Sequence, residues 1–122
     1  MVDTSFEGLS RRFLDQAMVG IGWADRDGLV KYMNPKLLEM LGITEQDEYI
    51  NQPVFKFYDP ETISKLEDQI LSDTMYKGYW SGTLMLMPVK GNPIKTLNYL
   101  FSMKDDHGKH FSFGNIVLPI DG

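Results

Sequence analysis

The sequence predicts an α+β domain in which five antiparallel strands carry helices gathered on one side. Three observations predict it. The apolar period changes from 3.6 to 2 near residue 79, so a helical stretch gives way to strands. Earlier, two short extended runs flank Asp25-Arg26-Asp27-Gly28, the mark of a hairpin. And two corners, Asn34-Pro35 and Asp59-Pro60, open helices abruptly, because Asn and Asp cap a first turn and proline there lacks only an N–H that would go unused.

The elements follow in order. Thr4 and Glu7 have capping-box spacing, and Phe6, Leu9, Phe13 and Ala17 then recur at 3, 4 and 4 as one apolar stripe. Strands are expected at 18–24 and 29–33, joined by the Asp/Gly turn. From Asn34 a short helix runs to Gly42, with Leu37, Leu38 and Leu41 on its apolar face. Thr44 and Asp47 suit the cap of another short turn, and Pro53 keeps 51–58 irregular. Asp59 opens the longest helix, whose stripe is Ile63, Leu66, Ile70 and Leu71 and whose stop is Gly78. Strands at 79–88, 94–103 and 109–120 complete the chain, separated by turns rich in Gly, Asn, Pro and Asp.

Composition narrows the function. The 122 residues suit one domain with one core. A net charge of -5, from 17 acidic and 12 basic residues, argues against nucleic acid or an anionic membrane as main partner. No apolar run approaches the ~20 residues of a membrane span, and the first 15 residues do not read as a signal peptide. The expected location is cytoplasmic. With no cysteine, disulfides, thiol nucleophiles and thiolate metal sites are excluded. His107 and His110 are spaced H-x-x-H, but on a turn they read as solvated imidazoles, so no metal is expected. A phosphate loop, a nucleophile elbow and HExxH are all absent.

Several segments together resemble the PAS family (Per-Arnt-Sim sensory and interaction modules). They are "DRDG" between the first two strands, "YMNPKLLEMLGITEQD" as strand, corner and helix, and "NQPVFKFYDPE" leading into the long helix; "GYWSGTL" then enters the third strand and "MKDDHGK" forms the last hairpin. The chain departs from the family at "MLMPVKG", where Pro88 would shorten or bulge the third strand. The resemblance divides the chain into a flanking helix, 1–17, and a PAS domain, 18–122. It implies the strand order 2-1-5-4-3, the short and long helices closing a cavity over one face, and an N-terminal helix over the other.

Alternation sorts the strands into two faces. The resemblance directs Gly22, Ala24, Trp80, Gly82, Leu84, Leu86, Thr96, Asn98, Leu100, Phe113, Asn115 and Val117 inward. A ligand there would meet Asn98, Asn115, Thr96 and Trp80, with Leu66 and Ile70 as part of the lid; the bland reading is that these amides and this Trp satisfy one another or simply pack. The opposite face carries Trp23, Met85, Leu97, Tyr99 and Phe101, too apolar a patch for a bare monomer. The stripe of Phe6, Leu9 and Phe13 is its expected cover, either folded back or on a partner in a homodimer.

The function implied is a sensory, dimerising module within a longer signalling protein, its effector a domain such as a histidine kinase or a cyclase. Two other readings stay open: a small cavity enzyme of α+β fold and an unliganded interaction domain. The lack of Asp, Glu or His in the inward set speaks against the enzyme. Cysteinyl flavin is excluded by the missing thiol. Haem is disfavoured because 59–77 holds no histidine. A non-covalent flavin is compatible.

Overall fold

A computed structural model describes residues 2–120. Helix α1 spans Phe6–Gln16. Strands β1 (Gly20–Ala24) and β2 (Val30–Met33) form the hairpin, and α2 (Pro35–Leu41) follows. Single 3₁₀ turns occupy Gln46–Glu48 and Val54–Phe57. Helix α3 runs continuously through Pro60–Lys65, a wider π turn at Leu66–Ile70, and Leu71–Lys77. Strands β3 (Tyr79–Leu86), β4 (Ile94–Lys104) and β5 (His110–Pro119) close the fold. The sheet order is β2-β1-β5-β4-β3, as expected, with every neighbouring pair antiparallel.

Local chemistry explains most boundaries. Asn34 and Asp59 cap their helices by accepting the N–H groups of Leu37 and Thr62 at 3.1 and 2.9 Å. Gly42 and Gly78 end them in the left-handed region, which glycine adopts without a Cβ clash. Strand β3 stops before Pro88, which has no N–H for a ladder. Two caps differ from expectation. Ser5 rather than Thr4 caps α1, its Oγ accepting from Gly8, because Asp3 holds the Ser5 N–H and sets the entry. In the Gln46–Glu48 turn the work falls to Glu48, whose carboxylate accepts the N–H groups of Glu45 and Thr44, not to Thr44 and Asp47.

The corner at Asn34 is a junction. Its side chain is fully buried. Oδ1 accepts from Ile21 N (2.9 Å) and Leu37 N, while Nδ2 donates to Leu14 O (2.9 Å) and Val19 O (3.0 Å). One amide therefore joins the end of α1, the start of β1 and the first turn of α2.

The core lies between the inner sheet face and the helices. It gathers Val30, Met33, Leu37 and Leu41 with Phe57, Leu66, Leu84 and Val117. The close approach of α2 to β1 requires Gly22, since a Cβ there would sit 2.9 Å from the Tyr32 carbonyl oxygen and 3.1 Å from Leu37 Cδ2. Gly22→Ala is expected to cost about 1–3 kcal/mol by overpacking. Urea unfolding checks this, and a change below about 0.5 kcal/mol, the usual range for surface substitutions, would show that α2 yields freely.

Of the two covers expected for the second face, the fold-back of α1 onto its own sheet is not formed. Helix α1 packs against α2 and buries none of its own residues, so Phe6 is 89% and Phe13 73% exposed. The reason is the Asn34 amide, which holds the carbonyls of Leu14 and Val19 and so fixes the end of α1 beside α2. The outer face keeps an aromatic ladder, Tyr79 over Tyr99 (5.8 Å between ring centres) and Tyr99 beside Phe101 (5.9 Å). Tyr99 is 41% and Leu97 45% exposed. Phe101 is half-buried because its ring lies over Gly114, and Trp23 stacks on Tyr32 at 4.5 Å.

Candidate functional site

Helices α2 and α3 and the Val54–Phe57 turn enclose a cavity of about 290 Å³ against the inner sheet face. This lies at the small end of the range for ligand sites. Its wall is mostly apolar: Met33, Leu37 and Leu41 on one side, Phe57, Leu66 and Leu71 on another. The π turn bears on this shape. Leu71 N–H bonds to Leu66 O across the wider turn, and both side chains line the cavity. The sheet contributes Gly22, Phe113, Asn115 and Val117. The charged wall residues, Asp25, Arg26 and Asp27, belong to the β1–β2 turn. There the Asp25 carboxylate accepts the N–H groups of Leu29 and Asp27 and pairs with Lys31, and these contacts, Leu29 foremost, lower its pKa.

The residues expected to meet a ligand divide. Asn115 and Leu66 line the cavity; Thr96, Asn98, Trp80 and Ile70 do not. Thr96 Oγ1 donates to Leu84 O (2.7 Å), and Asn98 Nδ2 donates to Thr96 Oγ1 (2.8 Å) and Thr96 O (3.2 Å). These two buried polar side chains are satisfied by their own sheet. Trp80 packs against the core beside Gly82, and Ile70 is core.

Asn115 continues the ladder into the cavity. Its Nδ2 donates to Asn98 Oδ1 and to the Tyr58 hydroxyl, both at 3.2 Å. The amide cannot be reversed cheaply, because Asn98 Nδ2 is committed to Thr96 and Oδ1 would then face Oδ1. Asn115 Oδ1 is therefore a buried acceptor without a partner. Tyr58 is also buried and lines the cavity, and burial pushes its phenol up to about 12 despite the opposing Asn115 bond. It stays a neutral hydroxyl at any physiological pH. The Tyr32 hydroxyl is a second buried group without a partner, its pKa raised by burial and then by Asp15.

Sequence reasoning missed Tyr58. It stands in the irregular stretch before Asp59, where no period assigns a face, and it meets Asn115 from 57 positions away. Its one legible signal was its place beside a helix cap.

Outside the cavity, His110 Nδ1 lies 2.6 Å from Ser102 Oγ. Burial, then the charges of Arg26 and Lys104, lower its pKa below the ordinary 6.5. The unfolded chain then binds this proton more readily than the folded one. Stability from this group is complete above pH 6.5 and falls as pH drops below it. The urea midpoint is expected to fall between pH 7.5 and 5.5, and His110→Gln to flatten that fall. An equal slope in the variant would contradict it. Among the described residues, no group of three or more His, Asp or Glu side chains is placed to hold a metal.

The family model described as "PAS fold" matches residues 8–98. No curated protein sequence matches. Among solved structures, the PAS domain of a protein from Colwellia psychrerythraea superposes with a TM-score of 0.87 at 16% identity, over 95% of this chain and 98% of its own. The PAS domain of an HTR-like protein from Haloarcula marismortui gives 0.72 at 18% identity, over 93% of each chain. An RNA-binding light-oxygen-voltage receptor gives 0.75 at 16% identity; this chain is covered over 93% but spans only 33% of the receptor.

Proposed function

The chain belongs to the PAS family, and on that premise we propose that it is a sensory module that holds a small ligand non-covalently and signals through a homodimer. One observation carries the ligand reading: Asn115 Oδ1, a buried acceptor without a donor, on a residue lining an apolar cavity of about 290 Å³. Leaving a buried acceptor unpaired costs about 1–3 kcal/mol. A ligand's hydrogen-bond donor would recover that, while its apolar body packs against Met33, Leu37, Leu41, Phe57, Leu66 and Leu71.

The outer face supports the dimer. Its exposed ladder of Tyr79, Tyr99 and Leu97 and the uncovered stripe of Phe6, Leu9 and Phe13 are two apolar surfaces in one chain. Two copies could cover both. Ligand binding against the inner face would alter how α3 packs on the sheet and bias the geometry between protomers. The receptor in which such a domain makes up a third of the length suits a module that works beside an effector. A histidine kinase or cyclase is the kind of effector proposed, and the module itself is read as non-catalytic.

Native mass spectrometry and absorbance of the purified chain test the ligand. The expected result is a bound small molecule lost on denaturation; a flavin would be visible by absorbance. A chain that carries nothing and is stabilised by no small-molecule extract overturns this reading. Light scattering tests the dimer: Phe13→Asp is expected to yield monomer, and an unaltered dimer would remove α1 from the interface.

A further inference from the structure

Besides the Tyr32 hydroxyl and the β1–β2 turn, the cavity's polar groups are those of Asn115 and Tyr58. Asn115 spends both Nδ2 hydrogens, each on a bond at the long end of the range, and leaves Oδ1 unpaired. Tyr58 accepts one of those bonds through its oxygen, and among the described residues no group accepts the phenol's own proton. One free acceptor and one free donor thus stand on touching side chains. Building on the ligand reading above, we infer that Asn115 and Tyr58 select an uncharged ligand with a lactam or cis-amide edge, its N–H donating to Asn115 Oδ1 and its C=O accepting from Tyr58.

The chemistry disfavours the alternatives. A carboxylate brings only acceptors, which would face Asn115 Oδ1 lone pair to lone pair. It would also bury a charge far more expensive than a neutral amide, against a wall whose charged residues lie on the β1–β2 turn. A pure hydrocarbon would leave Oδ1 as unpaired as before. Turning the Asn115 amide about its Cβ–Cγ bond, a soft torsion, brings Oδ1 to a ligand and gives up its two long bonds to Asn98 and Tyr58. Asn98 stays tied to Thr96 by two bonds while this happens, so the Thr96–Asn98 part of the ladder is kept.

The test uses the 122-residue chain and three bicyclic probes of similar size. They are 2-quinolone, N-methyl-2-quinolone, which lacks the donor, and 2-naphthoate, which replaces the edge with a charge. Calorimetry is expected to show 2-quinolone binding about tenfold or more tightly than either, the worth of one well-made neutral hydrogen bond. The side-chain amide resonance of Asn115 should move with 2-quinolone. Tyr58→Phe, which removes only the hydroxyl, should weaken 2-quinolone binding about tenfold. Equal binding of the N-methyl compound, tighter binding of 2-naphthoate, or an unchanged affinity for 2-quinolone in Tyr58→Phe overturns the inference while the ligand reading stands. If none of the three probes binds, the inference falls, and native mass spectrometry of the purified chain decides the ligand reading separately.

Discussion

Asn34→Ala is expected to destabilise the domain by about 3–5 kcal/mol, roughly a fifth or more of the 5–15 kcal/mol a small domain has. Loss of the α2 cap contributes about 1 kcal/mol. The Ile21 N–H is left without its acceptor in part-buried surroundings, which adds about 1–3 kcal/mol. The carbonyls of Leu14 and Val19 lose their donor, so α1 should also come loose. Urea unfolding measures the first effect, and amide exchange in α1 measures the second. Asn34→Asp separates the two halves of the junction. It keeps both acceptor bonds but turns a second carboxylate oxygen toward two carbonyls. It should therefore be destabilised at pH 7 and partly recovered once the carboxyl is protonated. A loss under 1 kcal/mol in Asn34→Ala would mean that the corner is held by proline and packing alone.

Asn98→Leu carries the second largest expectation, about 2–3 kcal/mol. The apolar replacement removes two donated bonds to Thr96 and the acceptor for Asn115 in a fully buried position. Thr96 keeps its own bond to Leu84 O, so the loss is confined to the inner half of the ladder. Because Asn98 and Asn115 share a bond, their substitutions should not add. A double-mutant cycle with Asn115→Leu is expected to give a coupling of at least about 0.5 kcal/mol. Strict additivity would show that the long Asn98–Asn115 contact carries no energy. The same cycle bears on ligand selection, since the ladder holds Asn115 at the cavity wall.

Much of this protein could be read locally. The caps at Asn34 and Asp59, the stops at Gly42 and Gly78 and the two faces of the strands depend on residues a few positions apart. Turn chemistry and the pleat's period of two act at that range. The inward set expected for the sheet contains the buried Leu84, Leu86, Thr96, Asn98, Leu100 and Val117, so alternation identified the correct partition even where it could not say which side the helices would cover. What it could not separate was a buried polar group that is satisfied from one that is not. Thr96 and Asn98 satisfy each other two positions apart, while Asn115 must look to Tyr58 and Asn98, 57 and 17 positions away.

The same distinction holds for the helices. The stripe of Phe6, Leu9 and Phe13 was legible, but its place was decided by an amide 20 positions from Leu14. The sequence by itself determined the order of elements, their ends and the faces of the sheet, because those follow from torsional preferences and short periods. Only the tertiary structure decided where the cavity lies, that Tyr58 joins it and that Asn115 keeps a free oxygen. Hydrogen-bond satisfaction depends on distances of about 3 Å between strands and loops remote in the chain, and no local pattern records them.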